Sequence, residues 1–502
     1  VTLEVNGGAA SVSQDVTLSP PNEDASSFVE IESIVIGGEG AAEISAYDAE
    51  NQRLFVVNNA DGSSIDVLDF SDPTSLSITS SVDVSTLGGG VNSVAVGNGL
   101  LAAAIEADNA TDPGVVAIWR LDNLMAVENT VTVGALPDMV TFTPDGTAIL
   151  VANEGEPDDD YLVDPMGSVS VITVTRSNDS YSFTSATAGF TSFNSMEAEL
   201  AANAFRVFGP NATLAQDVEP EYIAVSEDNT TAYVSLQENN GVAIVDIMSA
   251  TVDAIIPLGL KDYSLEGNEI DPSNEDDEIN FRSVPAFGMY QPDALASYSV
   301  GGTNYIVTAN EGDAREYEGD PGFVGEDRVG DVTLDPTAFP NAASLQADAD
   351  LGRLKLTITN GDTDGDGDYD EIWSYGARSF SIWNGETGEL VWDSGNELEV
   401  EVINAGLYED GRSDDKGVEP EGVVIGKVSG SPVAVIGLER VDAVAVYDIS
   451  DPTAPEFLTL LEAGDAPEGL VFIEPALSPT QKSLLVVSSE DDGTIKVYQP
   501  AN

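Results

Sequence analysis

The sequence predicts an all-β protein, a seven-bladed β-propeller, on three observations. Short alternating or apolar runs bounded by Gly, Asn, Asp and Pro recur along the 502 residues, and helix-period segments are scarce. The runs repeat with a propeller-like period of four strands. The final copy supplies only three strands, while one strand is left over before the first copy. Six or eight blades follow if the fifth copy is divided differently.

In chain order, residues 1–26 form an N-terminal extension and 27–502 a single propeller domain. The leftover strand is "SFVEIESIVIG", from Ser27. Copy one starts at Ala42 with "AEISAYDAENQRLFVVNNADGSSIDVLDF", and copy two at Val91 with "VNSVAVGNGLLAAAIEA". Copy three starts at Pro137 ("PDMVTFTPDGTAILVANEGEP") and takes its outer strands from "GSVSVITV" and "YSFTSATAGF". Copy four starts at Pro220 and copy five at Pro292, whose outer hairpin "SFSIWNGETGELVWDSG" lies far downstream. Copies six and seven start at Pro420 and Pro467. Pairing Ser27–Gly37 with the seventh copy closes the ring, so that only short outer edges remain. A pair of β-sandwiches is disfavoured because the repeat does not break midway.

Insertions interrupt the repeat at 193–216, 261–291 and 314–373. The first contains a predicted helix, "SMEAELAANAFRVF", and the third another, "AASLQADAD". Loops of this length are usually functional.

Composition narrows the function. The 89 Asp+Glu against 17 Lys+Arg give a net charge of -72, yet 42% of residues are hydrophobic. This describes a folded core with an acidic skin, which repels nucleic acid and anionic membranes and attracts cations. Nucleic acid is therefore excluded as a partner. Self-repulsion of this size suits a marine, halophilic or calcium-rich medium. Cys and His are both absent, which removes disulfides, thiolate sites, Ser-His-Asp triads and ordinary zinc centres. Any metal is a hard cation held by oxygen. The chain starts at Val1 and contains no apolar run long enough for a signal segment or membrane span, so the expectation is a processed, exported product.

Aligned copies place acids at two positions. Just before the innermost strand stand Glu43, Asn92, Asp138, Glu221, Asp293, Glu421 and Glu468. At the end of the second strand stand Asn59, Glu106, Glu154, Glu238, Glu311, Glu439 and Glu490. Antiparallel neighbours bring both sets to one mouth of the central channel. Like charges so crowded raise one another's pKa unless cations or amides neutralise them. The carboxylates are therefore expected to form a cation site, with Glu154 and Glu311 in the two "ANEG" copies foremost. The bland alternative is a repeated cap that accepts turn amides.

A second site is "GDTDGDGDYDE", from Gly361. Asp362, Asp364 and Asp366 alternate, Gly367 permits a sharp turn, and Asp368 and Asp370 occupy the seventh and ninth positions of an EF-hand-type loop. Trp373 stands where the bidentate Glu belongs, leaving Glu371 as a substitute ligand. Calcium is the predicted cofactor. Arg282, Arg315, Arg378 and Arg440 fall near the predicted mouth, either paired with surplus carboxylates or forming with calcium a pocket for a phosphate ester.

The stretches "LVANEGEPDDD", "TANEGDAREYEG", "DTDGDGDYDEIWSYGARSFSIWNGETGELVWDSG" and "KGVEPEGVVIG" resemble the choice-of-anchor I family of bacterial secreted proteins, itself similar to the mesenchyme-specific cell-surface glycoproteins of echinoderms. The resemblance runs from about Ile31 to Gln499. It implies an extracellular propeller, often attached through variable C-terminal anchors and associated with calcium or mineral; some members carry alkaline-phosphatase or phytase-like labels. The sequence given ends at Asn502 just after the last copy, which favours release or noncovalent assembly. The expected role is a secreted or cell-surface calcium-binding propeller that binds divalent cations and matrix, mineral or copies of itself. The alternative is a calcium-dependent phosphoesterase.

Overall fold

The computed structural model describes residues 2–6, 11–15, 23–60, 62–126, 130–178, 180–317 and 319–501. Much of the 1–26 extension lies outside them. The fold is all-β and has the sheet arrangement of a β-propeller. Among the described residues, four-stranded antiparallel sheets occur seven times. The first comprises Ala41–Asp48, Arg53–Asn58, Ser64–Asp69 and Ser77–Asp83. The next five lie within 91–135, 137–189, 220–257, 295–393 and 420–462. The last combines Pro467–Ile473, Leu484–Ser489 and Thr494–Pro500 with Phe28–Val35 from the other end of the chain. Each sheet's innermost strand packs on the next sheet's innermost strand, and Pro467–Ile473 packs on Ala41–Asp48.

The middle strands explain this stacking. Leu100–Ile105, Ala148–Asn153 and Leu484–Ser489 are buried throughout, because a sheet covered on both faces favours near-continuous apolar runs in its middle strands. Side chains of successive sheets interdigitate, as Phe55, Val57, Val94, Leu101 and Ile105 do between the first two. Hairpin turns carry much of the acid load. Asp69, Asp72, Asp145, Asp228 and Asp451 each accept a backbone N–H two residues on, the Asx turn that fixes a hairpin's exit.

The insertions do not remain separate loops. Residues from the second and third form a hydrophobic core of their own, including Tyr263, Val284, Val329, Phe339, Leu351, Leu356 and Ile372. This cap is fastened to the first insertion by Arg206, which is fully buried, stacks 4.0 Å from the Phe208 ring and bonds Thr357, Thr359 and Asn360. The predicted helix in "SMEAELAANAFRVF" is only Glu197–Ala201, since Phe205 and Arg206 are drawn into the core and cap. The second is shortened to Ala342–Leu345, followed by an irregular turn over Asp348–Gly352. A helix over Glu397–Ala405, which the sequence reading missed, packs Leu398 and Val402 between the fifth and sixth sheets.

Candidate functional site

The innermost strands share a local irregularity that aims their acids. Pairing with the second strand slips between Ala41 and Ser45, Val91 and Ser93, Pro137 and Val140, Pro220 and Ile223, Pro420 and Val423, and Pro467 and Leu470. Glu43, Asn92, Asp138, Glu221, Glu421 and Glu468 all fall inside these bulges. A bulge frees one residue from the ladder and re-aims its side chain. Leu136, Gln291, Glu419 and Ala466, each just before a proline, hold φ near +50°. That is a rare conformation for non-glycine residues, and one that persists only where the surroundings fix it.

The two acid sets are brought together. Burial pushes Glu43 up to about 8, with Glu490 and Asp138 adding repulsion. Asp138 rises to about 7 through burial and the charge of Glu156. Glu221, Asp293, Glu421 and Glu468 are raised well above the ordinary range by burial, with Glu238, Glu311, Glu439 and Glu43 respectively adding the strongest repulsion. Glu154 is raised by burial with Asp138 and Glu156 beside it, while Glu106 and Glu490 are raised chiefly by burial. One carboxylate oxygen each on Glu221, Glu421 and Glu468 is buried without a hydrogen-bond partner. Asn59 donates to Glu43 at 3.1 Å, and Asn92 donates to the Pro137 carbonyl at 3.1 Å.

Among the described residues, three groups of carboxylates bring ligand atoms within 4.8 Å of one another. The first, Asp293, Glu311 and Glu421, joins the fifth and sixth sheets. Glu311 is held there by a close backbone crossing: Gly312 (φ +89°) and Gly376 (φ +69°) pass where a Cβ on either would strike the other segment at about 2 Å. Gly155, the counterpart in the other "ANEG" copy, likewise has positive φ. In the second group, Glu311, Glu419 and Glu439, the chain's own cations already intervene. Lys416 Nζ lies 2.5 Å from Glu311 and 3.3 Å from Glu419, Arg440 contacts Glu419 and Glu439, and Arg412 also pairs with Glu419.

The third group lies in the acidic loop. Asp362, Asp364 and Asp370 converge, whereas Asp366 and Asp368 do not join them and Glu371 accepts the Trp373 indole N–H at 2.8 Å. Asp362 accepts Gly365 N and Gly367 N, and Asp370 accepts Thr363 N and Oγ1, so the loop is wrapped by its own amides. The Asp366 charge raises Asp364. Tyr369 ties the loop to the cap through a bridge to Leu334.

The sequence-marked arginines divide. Arg315 is buried and bonds Asp217 at 2.9 Å and Glu219 at 2.8 Å. Arg378 is buried among the carbonyls of Asp271, Ser413 and Asp415, with Glu399 at 3.5 Å. Arg282 pairs with Asp350 inside the cap. Only Arg315 and Arg440 line a polar cavity of about 390 Å³ between cap and mouth, together with Lys355, Arg412 and Lys416.

Sequence reasoning missed Glu219, Glu419, Asp217 and Lys416. A signal existed: "VEPE" occurs twice, at Val218–Glu221 and Val418–Glu421. In both, the first glutamate is buried and takes the cations while the second falls in the strand bulge.

A family model for the choice-of-anchor I domain matches residues 43–452, from the first bulge through the third strand of the sixth sheet. The chain belongs to the choice-of-anchor I family. Among curated relatives of this choice-of-anchor I protein, gigasin-3a of Magallana gigas is 27% identical over 189 residues, covering 31% of this chain and 66% of that protein. The mesenchyme-specific cell surface glycoprotein of Strongylocentrotus purpuratus is 26% identical over 298 residues, covering 51% and 38%. The matches thus span less than two thirds of either relative. Hydrazine synthase of Kuenenia stuttgartiensis overlays with a TM-score of 0.48 at 13% identity, covering 93% of this chain and 97% of that one. The Cps50 (Swd1) β-propeller domain overlays at 0.44 and 7%, covering 94% and 98%. At those scores the architecture rests on the strand pairing above. Among the described residues no helix is long and apolar enough to cross a membrane.

Proposed function

We propose that the protein is an extracellular or cell-surface calcium-binding propeller with seven blades, the last closed by the N-terminal strand, and that it acts by binding matrix, mineral or other copies of itself. Family membership and the surface-glycoprotein relative support the location. The carrying observation is the channel-mouth group Asp293–Glu311–Glu421, in which three carboxylates converge and one Glu421 oxygen is left without a donor. Oxygen ligands of this kind suit calcium, which accepts six to eight at about 2.3–2.6 Å. The Asp362–Asp370 loop adds a second, exposed site with alternating carboxylates.

Calcium stoichiometry on the native chain and melting before and after chelation test the reading. Several ions and a melting temperature that falls on chelation are expected, with Asp362→Asn removing one ion and Glu311→Gln another. An unchanged melt with no bound calcium sinks it. The phosphoesterase reading replaces it if p-nitrophenyl phosphate or phytate is hydrolysed with calcium and turnover disappears in folded Glu154→Ala or Glu311→Ala.

A further inference from the structure

The polar cavity between cap and mouth is anomalous for this chain. Carboxylates outnumber cations by 89 to 17 overall, yet five cations and six carboxylates line this one space. Near-balance disfavours a ligand of large net charge of either sign, because a bare anion meets the carboxylates and a bare cation meets the bases.

The charges are also partly sorted. Arg440 follows the second strand of the sixth sheet, and Arg412 and Lys416 lie in the segment leading into that sheet. Glu156 and Glu238 follow the second strands of the third and fourth sheets. Arg412, Lys416 and Arg440 therefore gather on the sixth-sheet side beside Asp415, and Glu156 and Glu238 on the third- and fourth-sheet side beside Arg315.

Bonding capacity is left over on both sides. Arg412 reaches Glu419 and Asp415 through Nε and Nη2, and Arg440 reaches Glu419 and Glu439 through Nε and Nη1. Among the described residues, Arg412 Nη1 and Arg440 Nη2 bond no protein atom. Both side chains stay about one third exposed, at 33% and 37%. On the other side Glu238 is 6% exposed, and its buried Oε2 has no hydrogen-bond partner. The buried Glu238 oxygen calls for a donor, and the two part-exposed guanidinium edges can offer N–H groups to a ligand.

We propose that this cavity binds a small zwitterion, its anionic end on the guanidinium edges of Arg412 and Arg440 and its ammonium on Glu238 and Glu156. The volume of about 390 Å³ falls in the range of small-molecule sites, and Tyr317 and Tyr375 supply flat walls for the ligand's carbon skeleton. Guanidinium forks recognise carboxylate or phosphate through paired N–H donors, and an ammonium supplies the donor that Glu238 lacks. This does not depend on calcium at the mouth.

Melting the full chain at fixed calcium with glycine, 4-aminobutyrate and 6-aminohexanoate, against sodium acetate and methylammonium chloride at matched ionic strength, tests it. One amino-acid length is expected to raise the melting temperature saturably, with both monopolar salts ineffective. Glu238→Gln and Arg440→Gln should each weaken that amino acid about tenfold or more, the loss of one charge-assisted bond. The proposal is overturned if no amino acid shifts the melt, if acetate or methylammonium alone matches it, or if Glu238→Gln binds as well as the parent. Should Arg440→Gln lose its transition, Glu238→Gln, which is uncharged and isosteric, decides. Repeating the series in chelator separates this site from the calcium reading.

Discussion

At the scale of single residues, the molecule is governed by how few cations it spends and where. Arg315 is 3% exposed and neutralises two carboxylates that are themselves 1% exposed, Asp217 and Glu219, while standing 4.5 Å from the Phe208 ring. Removing one member of such a buried set strands the others. Arg315→Met is expected to destabilise the chain by about 3–5 kcal/mol in urea titration at neutral pH. Arg315→Lys should recover only part of this, because a point charge cannot serve both acids through a fork. A loss under about 1 kcal/mol would show the pair to be solvated rather than buried. These contacts were illegible in the sequence because Arg315 lies almost one hundred residues from its partners, and nothing local marks who meets whom. Glu219 and Glu419 were overlooked for a related reason: the alignment of repeats began at the proline after each.

At the scale of elements, strands were legible because each combined apolar runs with Asp, Asn, Gly or Pro at the turn. The acid positions followed from simple antiparallel geometry. Helices were misjudged in both directions. "SMEAELAANAFRVF" has helix-forming composition, yet burial of Phe205 and Arg206 ends the helix early, a tertiary override of propensity. Glu397–Ala405 was concealed because its inward face includes a buried charge, Glu399, beside Arg378. The cap core was invisible because its members come from two insertions separated by a whole sheet hairpin. Phe28–Val35 gives the clearest element-level prediction. It covers the outer edge of Thr494–Pro500, where Ile495, Val497 and Tyr498 are buried. A chain lacking residues 1–35 should expose that edge and self-associate. Light scattering should rise at constant concentration, and a monodisperse monomer would refute the role.

At the scale of the whole molecule, crowded carboxylates couple stability to pH. Glu43 and Glu439 are raised to about 8 and Asp138 to about 7, each mainly by burial. The folded state therefore holds protons that the unfolded chain releases near the ordinary range, 3.8 for Asp and 4.5 for Glu. Their contribution is complete below that range and is lost as pH rises through the folded values. Turn aspartates such as Asp145 and Asp228 are lowered by their side-chain and backbone hydrogen bonds and act below this window, so they do not oppose the trend. In chelator, the melting temperature should fall steadily between about pH 5 and pH 8, and calcium should flatten the slope by supplying the missing positive charge. A flat profile in chelator would mean that the mouth is better hydrated than its packing indicates.

The sheet shared by the two chain ends also has a mechanical sense. Phe28 lies opposite Pro500 and Val35 opposite Thr494, so the points where the chain enters and leaves this pair of strands lie side by side at one end of the seam. A load pulling both ends apart breaks this seam rung by rung, like a zip, instead of shearing all its bonds at once. A protein held in tension between two attachments would therefore yield first at this seam, with its cap and acidic mouth still folded.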